Sequence, residues 1–249
     1  MLYLVGLGLF DAKDISLRGL EAVKKSERVY AETYTSRFYG LEELEGIAKK
    51  KITALERRDI EETPQDNVLK PGGDACLLVP GDPLVATTHV DLVLRARKLG
   101  IETRIIHSSS VYSAIGETGL QPYKFGKTTT IAYPEGMYFP TSPYDVIREN
   151  AGMGLHTMCL LDVKAEESKY MSVSEGLSLL MRMEGEKGGK VATEETLCVG
   201  VARLGGDVMI RAGRIKDVLK FDFGKPPHVI VIPGKLHFME EEALRMFSV

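Results

Sequence analysis

The sequence predicts an α/β protein built from two α/β domains. Short apolar runs alternate with helical patterns along the chain, and many of the runs are continuously apolar, as expected for strands covered on both faces. The chain has 249 residues, more than a typical domain of about 150, which slightly favours two domains. We expect helices to cover a largely parallel sheet. The predicted strands are Leu2–Val5, Arg28–Ala31, Ala75–Val79, Thr103–His107, Thr129–Tyr133, His156–Leu161, Thr196–Ala202, Val208–Arg211 and Val229–Ile232.

Two helix starts in the second half carry recognisable signals. Ser142 precedes Pro143, which predicts an N-cap followed by proline at the first helical position. Ser172 and Glu175 have the spacing of a capping box ahead of a run rich in leucine. Both segments are therefore predicted to begin helices.

The first half contains a strand, helix and strand unit. Thr88 is predicted to cap a helix over His89–Leu99, and Gly100 is predicted to end it. Ile101–His107 then returns as a strand. This order is typical of the crossover that joins two parallel strands.

The boundary between the two domains is predicted from a weakening of these patterns. Serines, glycines and Pro122 accumulate over Ser108–Lys127, and no Gly/Ser-rich linker or internal repeat is visible. We place the junction near residues 108–115. The predicted domains are residues 1–111 and residues 112–249.

Composition disfavours several classes of partner. The formal net charge is −3, from 32 basic and 35 acidic residues, so no large cationic field is available for a nucleic-acid backbone. No window approaches the roughly 18 apolar residues of a membrane span, and the first residues lack the basic segment of a signal peptide. We expect a cytoplasmic protein without nucleic-acid or membrane partners.

Cysteine and histidine spacing gives no support for a metal site. Cys76, Cys159 and Cys198 each lie in an apolar run without CxxC spacing and are interpreted as reduced core residues. The histidines lack HxH or HxxxH spacing. They are His89, His107, His156, His228 and His237.

The first candidate binding segment is the glycine-containing turn after the first strand. Gly6 and Gly8 would let the backbone turn sharply and approach a ligand. The full dinucleotide fingerprint requires a third glycine, where this chain has Asp11. A plain tight turn is an equal alternative.

The second candidate is the Pro-Gly-Asp-Pro segment after the Ala75–Val79 strand. Ligands of open α/β sheets bind at the carboxyl ends of strands, and this segment aims the Asp82 carboxylate there. Asp82 could receive an amino or hydroxyl group. The alternative is that Asp82 only caps its own turn.

The third candidate, Ser108–Ser113, follows the Thr103–His107 strand. Its small hydroxyl residues and backbone N–H groups suit a polar-edged ring, although a simple N-cap explains them equally well. No nucleophile is assigned, because no Ser-His-Asp or Cys-His order stands out. Lys187–Lys190 lacks Walker spacing and is interpreted as an exposed turn rather than a phosphate site.

Segments spread from end to end of the chain carry a resemblance to a known family. They are Met1–Leu9, Gly81–Pro83 with Ala86–His89, Leu120–Gly126, Gly154–Thr157, Leu160–Lys164, Glu194–Arg203 and Pro233–His237. In these segments, which occur in the same order, the sequence resembles the diphthine synthase family of tetrapyrrole-methylase-like methyltransferases.

The resemblance implies two α/β domains of tetrapyrrole-methylase-like architecture, with S-adenosyl-L-methionine bound in the inter-domain cleft, and a homodimer. It implies no metal. A Gly-x-Gly turn without the third glycine suits this class better than a dehydrogenase. The cofactor contacts implied by matching motifs are Leu9, Asp82, Val85, Ser110, Val111, Leu161, Leu204 and His228.

The implied reaction is trimethylation of the amino group of a 3-amino-3-carboxypropyl arm on a histidine of translation elongation factor 2, with S-adenosyl-L-homocysteine as product. The chain is short between Lys164 and Tyr170, as in archaeal members, whereas the eukaryotic-type reaction adds a fourth methyl to the carboxylate. No general base is assigned. Pro134–Pro143, with Glu135, Tyr138 and Phe139, is interpreted as helping to receive the protein substrate, or as a core or dimer contact.

Two alternatives to this function remain open. The chain could methylate a tetrapyrrole or ribosomal RNA with the same fold. It could also be a nucleotide-binding dehydrogenase or a non-catalytic nucleotide-binding module. Binding of S-adenosyl-L-homocysteine rather than NAD distinguishes a methyltransferase from the second group.

Overall fold

The computed structural model describes residues 1–249, and contacts within the chain divide it into two compact units. Unit 1 is Met1–Ala114 and unit 2 is Ile115–Val249. Both combine helices with a five-stranded sheet, which confirms the predicted α/β class. The boundary predicted between residues 111 and 112 stays a prediction.

The sheet of unit 1 is entirely parallel and has the strand order β3-β2-β4-β1-β5. β1 and β4 lie inside the sheet, and every residue of both is buried, which explains their continuously apolar sequences. The elements are β1 Leu2–Gly6, α1 Leu17–Lys25, β2 Arg28–Glu32, α2 Leu41–Ala48, β3 Thr53–Leu55, α3 Arg57–Glu61, β4 Ala75–Val79, α4 His89–Lys98, β5 Thr103–Ile106 and α5 Val111–Ala114.

The sheet of unit 2 has the order β11-β10-β12-β7-β6 and is mostly antiparallel. Only β6 and β7 pair in parallel. A separate hairpin consists of β8 and β9. The elements are β6 Thr129–Ile131, α6 Ser142–Gly152, β7 Thr157–Leu161, β8 Val163–Lys164, β9 Lys169–Tyr170, α7 Val173–Lys187, β10 Leu197–Ala202, β11 Met209–Arg214, α8 Ile215–Val218, β12 His228–Ile232 and α9 Phe238–Arg245.

The expectation of a largely parallel sheet is therefore correct for unit 1 and wrong for unit 2. β10 and β12 are buried along nearly their whole length, so their sequences are continuously apolar although the strands pair in antiparallel. Continuously apolar runs indicate that both faces of a strand are covered. They do not indicate whether the strand pairs in parallel or antiparallel.

The helix signals were partly correct. The capping box at the start of α7 is confirmed, because Ser172 N donates to Glu175 Oε2 (2.8 Å) and Glu175 N donates to Ser172 Oγ (3.2 Å). At α6 the N-cap is Thr141, so the prediction that Ser142 caps this helix is wrong by one residue. α4 begins after Thr88 as predicted, but the Thr88 hydroxyl makes no capping bond and donates to Glu61 instead.

Each unit has its own apolar core. The cysteines are core residues in both, since Cys76, Cys159 and Cys198 are buried and free. Burial raises the pKa of each thiol, to about 12 for Cys198, so all three are protonated at neutral pH. None of the helices combines the length and apolar composition needed to cross a bilayer.

Candidate functional site

Three strand-end loops of unit 1 lie at one edge of its sheet. β1 is hydrogen-bonded to β4 on one side and to β5 on the other, and all three strands are parallel. Their carboxyl ends therefore share an edge, where open α/β sheets bind ligands. All three candidate segments of unit 1 follow these strands.

The turn after β1 pairs directly with the loop after β4. Gly8 N donates to Gly81 O (3.2 Å) and Gly81 N donates to Gly8 O (2.7 Å). Gly8 has φ +85°, and a Cβ added there would overlap the Asp14 side chain. At Gly6 an added Cβ would lie 2.6 Å from Gly81 O. The two glycines are therefore required by close packing of the loops.

Asp14 belongs to the candidate site but was not predicted from the sequence. Its Oδ2 atom accepts hydrogen bonds from Leu9 N (3.1 Å) and Phe10 N (2.8 Å). Asp11, the residue noted in the sequence, only caps its own short turn through Lys13 N (2.9 Å). The glycine turn is therefore held by a carboxylate three residues further along the chain.

Asp82 is buried and bonded to two loops. Its Oδ1 accepts from Leu84 N (3.0 Å), the pattern of an Asx-turn, so it does cap its own turn. Its Oδ2 accepts from Ser108 N (3.2 Å) and is 2.8 Å from His107 Nδ1. A carboxylate has about four acceptor positions, so one remains beyond these three bonds. Asp82 joins the β4 loop to the β5 loop.

Ser110 and Val111 stand at the start of α5, beside the β4 loop. A Cβ added at Gly81 would lie 3.7 Å from Ser110 Cβ, which places the two residues in contact range. Ser110 O accepts from Ala114 N (3.0 Å), so the helix-start interpretation is correct for this segment. Gly8, Asp82 and Ser110 are thus neighbours within unit 1.

The three candidate residues of unit 2 also share one edge of their sheet. Leu161 ends β7, Leu204 follows β10 and His228 begins β12. Register pairs Leu160 with Val229 and Ala202 with His228, so the three candidates lie beside adjacent strand ends. Leu161 and Leu204 are buried.

His228 presents an unpaired nitrogen at this edge. Its Nε2 lies 3.0 Å from Lys225 O and therefore carries the proton, because a carbonyl oxygen only accepts. Burial lowers the pKa of the ring, which keeps it neutral. The buried Nδ1 has no hydrogen-bond partner and is left as an acceptor.

Two other sequence features have structural explanations. The 187–190 segment is exposed and ends α7, with Gly188 as a left-handed C-cap, and the N–H groups of Lys190, Val191 and Ala192 all donate to Glu184. These donors are bound by the chain's own carboxylate. No group of three or more His, Cys, Asp or Glu side chains is arranged to hold a metal ion.

The segments at residues 120–126, 154–157 and 233–237 meet around one buried carboxylate, Glu240. It accepts from Gln121 N (2.9 Å), His237 N (2.8 Å) and Lys124 Nζ, and its Oε1 is 2.9 Å from His156 Nε2. These segments therefore stabilise unit 2 around α9.

Comparison with known proteins identifies the class of this fold. The family Tetrapyrrole (Corrin/Porphyrin) Methylases matches residues 1–205. Diphthine synthase of Methanococcus maripaludis strain S2 is 49% identical over 98% of both chains, and that of Methanocaldococcus jannaschii is 49% identical over 98% of both. A crystal structure of diphthine synthase superposes with a TM-score of 0.90 at 39% identity, covering 99% of this chain and 95% of that one.

The chain belongs to the tetrapyrrole methylases and, among them, to the diphthine synthase family. It is accordingly an S-adenosylmethionine-dependent methyltransferase of diphthamide biosynthesis.

Proposed function

We propose that this enzyme trimethylates the amino group of the 3-amino-3-carboxypropyl arm on a histidine of translation elongation factor 2. The supporting observation is identity of 49% to diphthine synthase over 98% of both chains. The segment between Lys164 and Tyr170 closes as the short β8–β9 hairpin, as expected for the form that stops at three methyl groups. We further propose a homodimer located with its substrate in the cytoplasm.

We propose that unit 1 contacts the cofactor through Leu9, Asp82, Val85, Ser110 and Val111. The glycine packing at Gly8 and Gly81 supports this, because it presents the three loops as one backbone surface. Asp82 has one acceptor position left for an amino or hydroxyl group. Asp82 also joins the loop after β4 to the loop after β5, and these loops carry Val85, Ser110 and Val111.

We propose that unit 2 contacts the cofactor through Leu161, Leu204 and His228. The buried, unpaired Nδ1 of His228 fits a ligand that carries an N–H donor, such as an adenine amino group. The two leucines offer apolar contact. An unmet buried acceptor is costly, so a ligand that satisfies it gains affinity.

The protein's contribution to the reaction is alignment and desolvation. When bound, S-adenosylmethionine would supply a methyl group on sulfur. The lone pair of the neutral amine would form the new N–C bond while the C–S electron pair stays on sulfur, and water would take the ammonium proton before each further transfer. Holding two reactants in line is worth about 7–11 kcal/mol. That is enough for catalysis without a dedicated base, and none is assigned.

The 134–143 loop is proposed to help receive the protein substrate. Glu135 and Tyr138 exchange two backbone hydrogen bonds (3.0 and 2.9 Å), and the resulting turn exposes Met137 completely. Phe139, which the sequence grouped with them, packs on the core beneath Arg182 (4.0 Å to the ring centroid). Met137 and Tyr138, together with the exposed Glu135, which pairs with Lys164 (3.1 Å), are therefore available for contact.

The decisive test uses elongation factor 2 that carries the unmethylated arm. Incubation with labelled S-adenosylmethionine should label the factor, and mass spectrometry should show three added methyl groups. Four groups would indicate the eukaryotic-type reaction, and an unlabelled factor would contradict the proposal. Calorimetry should show binding of S-adenosylhomocysteine but not of NAD; binding of neither would favour a different class of protein.

A further inference from the structure

A buried pair of ionisable side chains lies directly beneath the loop that follows β4, residues 80–88. Glu32 is the last residue of β2 and His89 is the first of α4, and each is 1% exposed. His89 Nε2 is 3.1 Å from Glu32 Oε2. The proposed function gives neither residue a role.

The hydrogen-bond partners of His89 decide its charge. Its Nδ1 is 3.1 Å from Pro83 O, and a carbonyl oxygen only accepts, so Nδ1 carries a proton. Its Nε2 faces the Glu32 carboxylate, whose other oxygen accepts from the Thr35 hydroxyl. The ring thus has an acceptor on both sides. An imidazolium places a proton on Nε2, 3.1 Å from Glu32 Oε2, in an ion-pair contact that lacks hydrogen-bond geometry, whereas a neutral ring leaves Nε2 and the carboxylate as two facing acceptors.

Burial and charge act on His89 in opposite directions. Burial lowers its pKa, but the Glu32 carboxylate and the Pro83 carbonyl together outweigh it, so the net shift is upward. The surrounding groups are Tyr34 and Glu61, with Arg57 paired to Glu61 (3.4 Å) and stacked over the Tyr34 ring (4.9 Å). Tyr34 lies in the segment after β2, and Arg57 and Glu61 lie on α3.

The loop above the pair requires support. Ala86 has φ +56°, in the left-handed region that non-glycine residues rarely adopt. Pro83 O accepts both from Thr87 Oγ1 (2.6 Å) and from His89. Through Pro83 the pair therefore holds a strained loop that carries Asp82 and Val85.

We propose that Glu32 and His89 are positioning residues, whose charged pair fixes the 80–88 loop in its cofactor-binding shape and makes cofactor affinity depend on the second proton of His89. This inference rests on the proposed function, in which that loop contacts the cofactor. Neither side chain touches the ligand, since both are buried under the loop.

The proposal predicts the direction of a pH effect. As the pH rises through the pKa of His89, Nε2 loses its proton and faces the Glu32 carboxylate as a second acceptor. The loop is then less well held, so cofactor affinity should fall on the alkaline side. The protonated pair favours binding at lower pH.

Glu32→Gln separates charge from geometry. The amide oxygen of the substituted side chain can accept from Thr35, and its NH₂ group can donate to a neutral His89 Nε2, while Nδ1 still donates to Pro83 O. Both contacts of the His89 ring are thereby kept without a charge on the ring. This variant should therefore bind S-adenosylhomocysteine with an affinity that no longer falls as the pH rises through the pKa of His89.

The experiment is calorimetry with S-adenosylhomocysteine between about pH 6 and about pH 9. The affinity of the wild-type protein for S-adenosylhomocysteine should fall with rising pH relative to that of Glu32→Gln. Titration of the ligand's own amine affects both proteins equally and cancels in the comparison. His89→Ala should bind about tenfold more weakly at the lower pH, as expected for loss of a charge-assisted bond. Cys76→Ala, a buried change inside β4, controls for lost stability and should bind like wild type.

Outcomes for the pair and for the proposed function are distinguishable. If wild type fails to bind S-adenosylhomocysteine at any pH, the proposed function fails. If wild type binds and His89→Ala and Glu32→Gln both follow its affinity and pH profile, the positioning role is overturned. Nitrogen NMR of labelled histidine gives a second readout: His89 should be imidazolium in wild type at about pH 6, below its ordinary pKa, and a neutral ring there would also overturn the proposal.

Discussion

Each unit contains one fully buried pair of a histidine and a glutamate. The two histidines differ in protonation, because the ring is charged in unit 1 and neutral in unit 2. In unit 1, His89 lies between Glu32 and the Pro83 carbonyl, two acceptors, so the ring needs both protons. In unit 2, His156 Nδ1 accepts from Gly234 N (3.0 Å), so the ring donates to Glu240 through Nε2 alone and is neutral. In each pair, the backbone group bonded to the ring nitrogen that faces away from the glutamate decides whether the histidine is charged.

The directions of the pKa shifts agree with this difference. Burial lowers the pKa of His156, and nearby Lys124 lowers it further against the pull of Glu240. Lys124 also forms an ion pair with the Glu240 carboxylate. This contact helps to lower the pKa of Glu240 to about 2, although the side chain is buried. The pair in unit 2 thus belongs to a closed structural network, whereas the pair in unit 1 supports a loop.

Removing the carboxylate of unit 2 should have the largest effect. Glu240→Ala leaves Lys124, His156 and two backbone N–H groups without their acceptor, which should cost about 3–5 kcal/mol of unfolding free energy. Urea unfolding measures it. Glu241→Ala, an exposed neighbour on α9, is the matched control and should change little. Equal losses in the two variants would contradict the network.

The two pairs should respond to pH with opposite signs. The pKa of Glu240 is lowered from 4.5 to about 2, so its stabilisation is present above pH 4.5 and lost as the pH falls toward 2. The pKa of His89 is raised, so its stabilisation is full below about pH 6.5 and lost as the pH rises through the folded value.

Unfolding free energies measured across pH test that contrast. Glu240→Gln should remove acid sensitivity on the order of a few kcal/mol, and Glu32→Gln should remove a smaller alkaline sensitivity. If Glu240→Gln changed only the alkaline limb, the assignment of the neutral ring to His156 would be wrong.

One glycine in each unit distinguishes binding from stability. In Gly8→Ala the new Cβ overlaps Asp14, so the cofactor turn must shift and S-adenosylhomocysteine affinity should fall about tenfold. In Gly234→Ala it overlaps the backbone of Leu155, which should cost about 1–3 kcal/mol of unfolding free energy. Calorimetry and urea unfolding are applied to both. Gly72→Ala, with φ +90° but open space, controls for backbone strain alone.

The smallest expected effect concerns the hydroxyl on Glu32. Thr35→Val keeps the shape of the side chain but removes its donor to Glu32 Oε1, which should weaken the pair by about 1 kcal/mol. S-adenosylhomocysteine affinity should fall several-fold. Thr53→Val, on the exposed face of β3, should leave it unchanged. Unaltered affinity in Thr35→Val would mean that the pair does not depend on this hydroxyl.

The sequence predicted what short-range patterns encode. Buried strands such as β1 and β4 were found because all their residues are apolar, whereas the edge strand β3 was missed because Thr53 and Ala54 are exposed. The directions of β10 and β12 were missed because burial on both faces looks the same in either direction.

Within the candidate site, the glycine turn and Asp82 were predicted because their spacing is local. Asp14 and the pair of Glu32 with His89 were missed because their partners are set by the fold. One sequence feature pointed to the pair: the predicted strand β2 is partly apolar and is followed at its end by a glutamate, Glu32.

The Asp14 carboxylate has a consequence for ligand selection. In a dinucleotide-binding turn, free N–H groups after the glycines receive a pyrophosphate. Here Leu9 N and Phe10 N are already bonded to an anion tethered to the chain. A phosphate would have to displace that anion against its repulsion, so we expect the turn to disfavour phosphorylated nucleotides and to tolerate the proposed ligand, a nucleoside whose sulfur is positively charged.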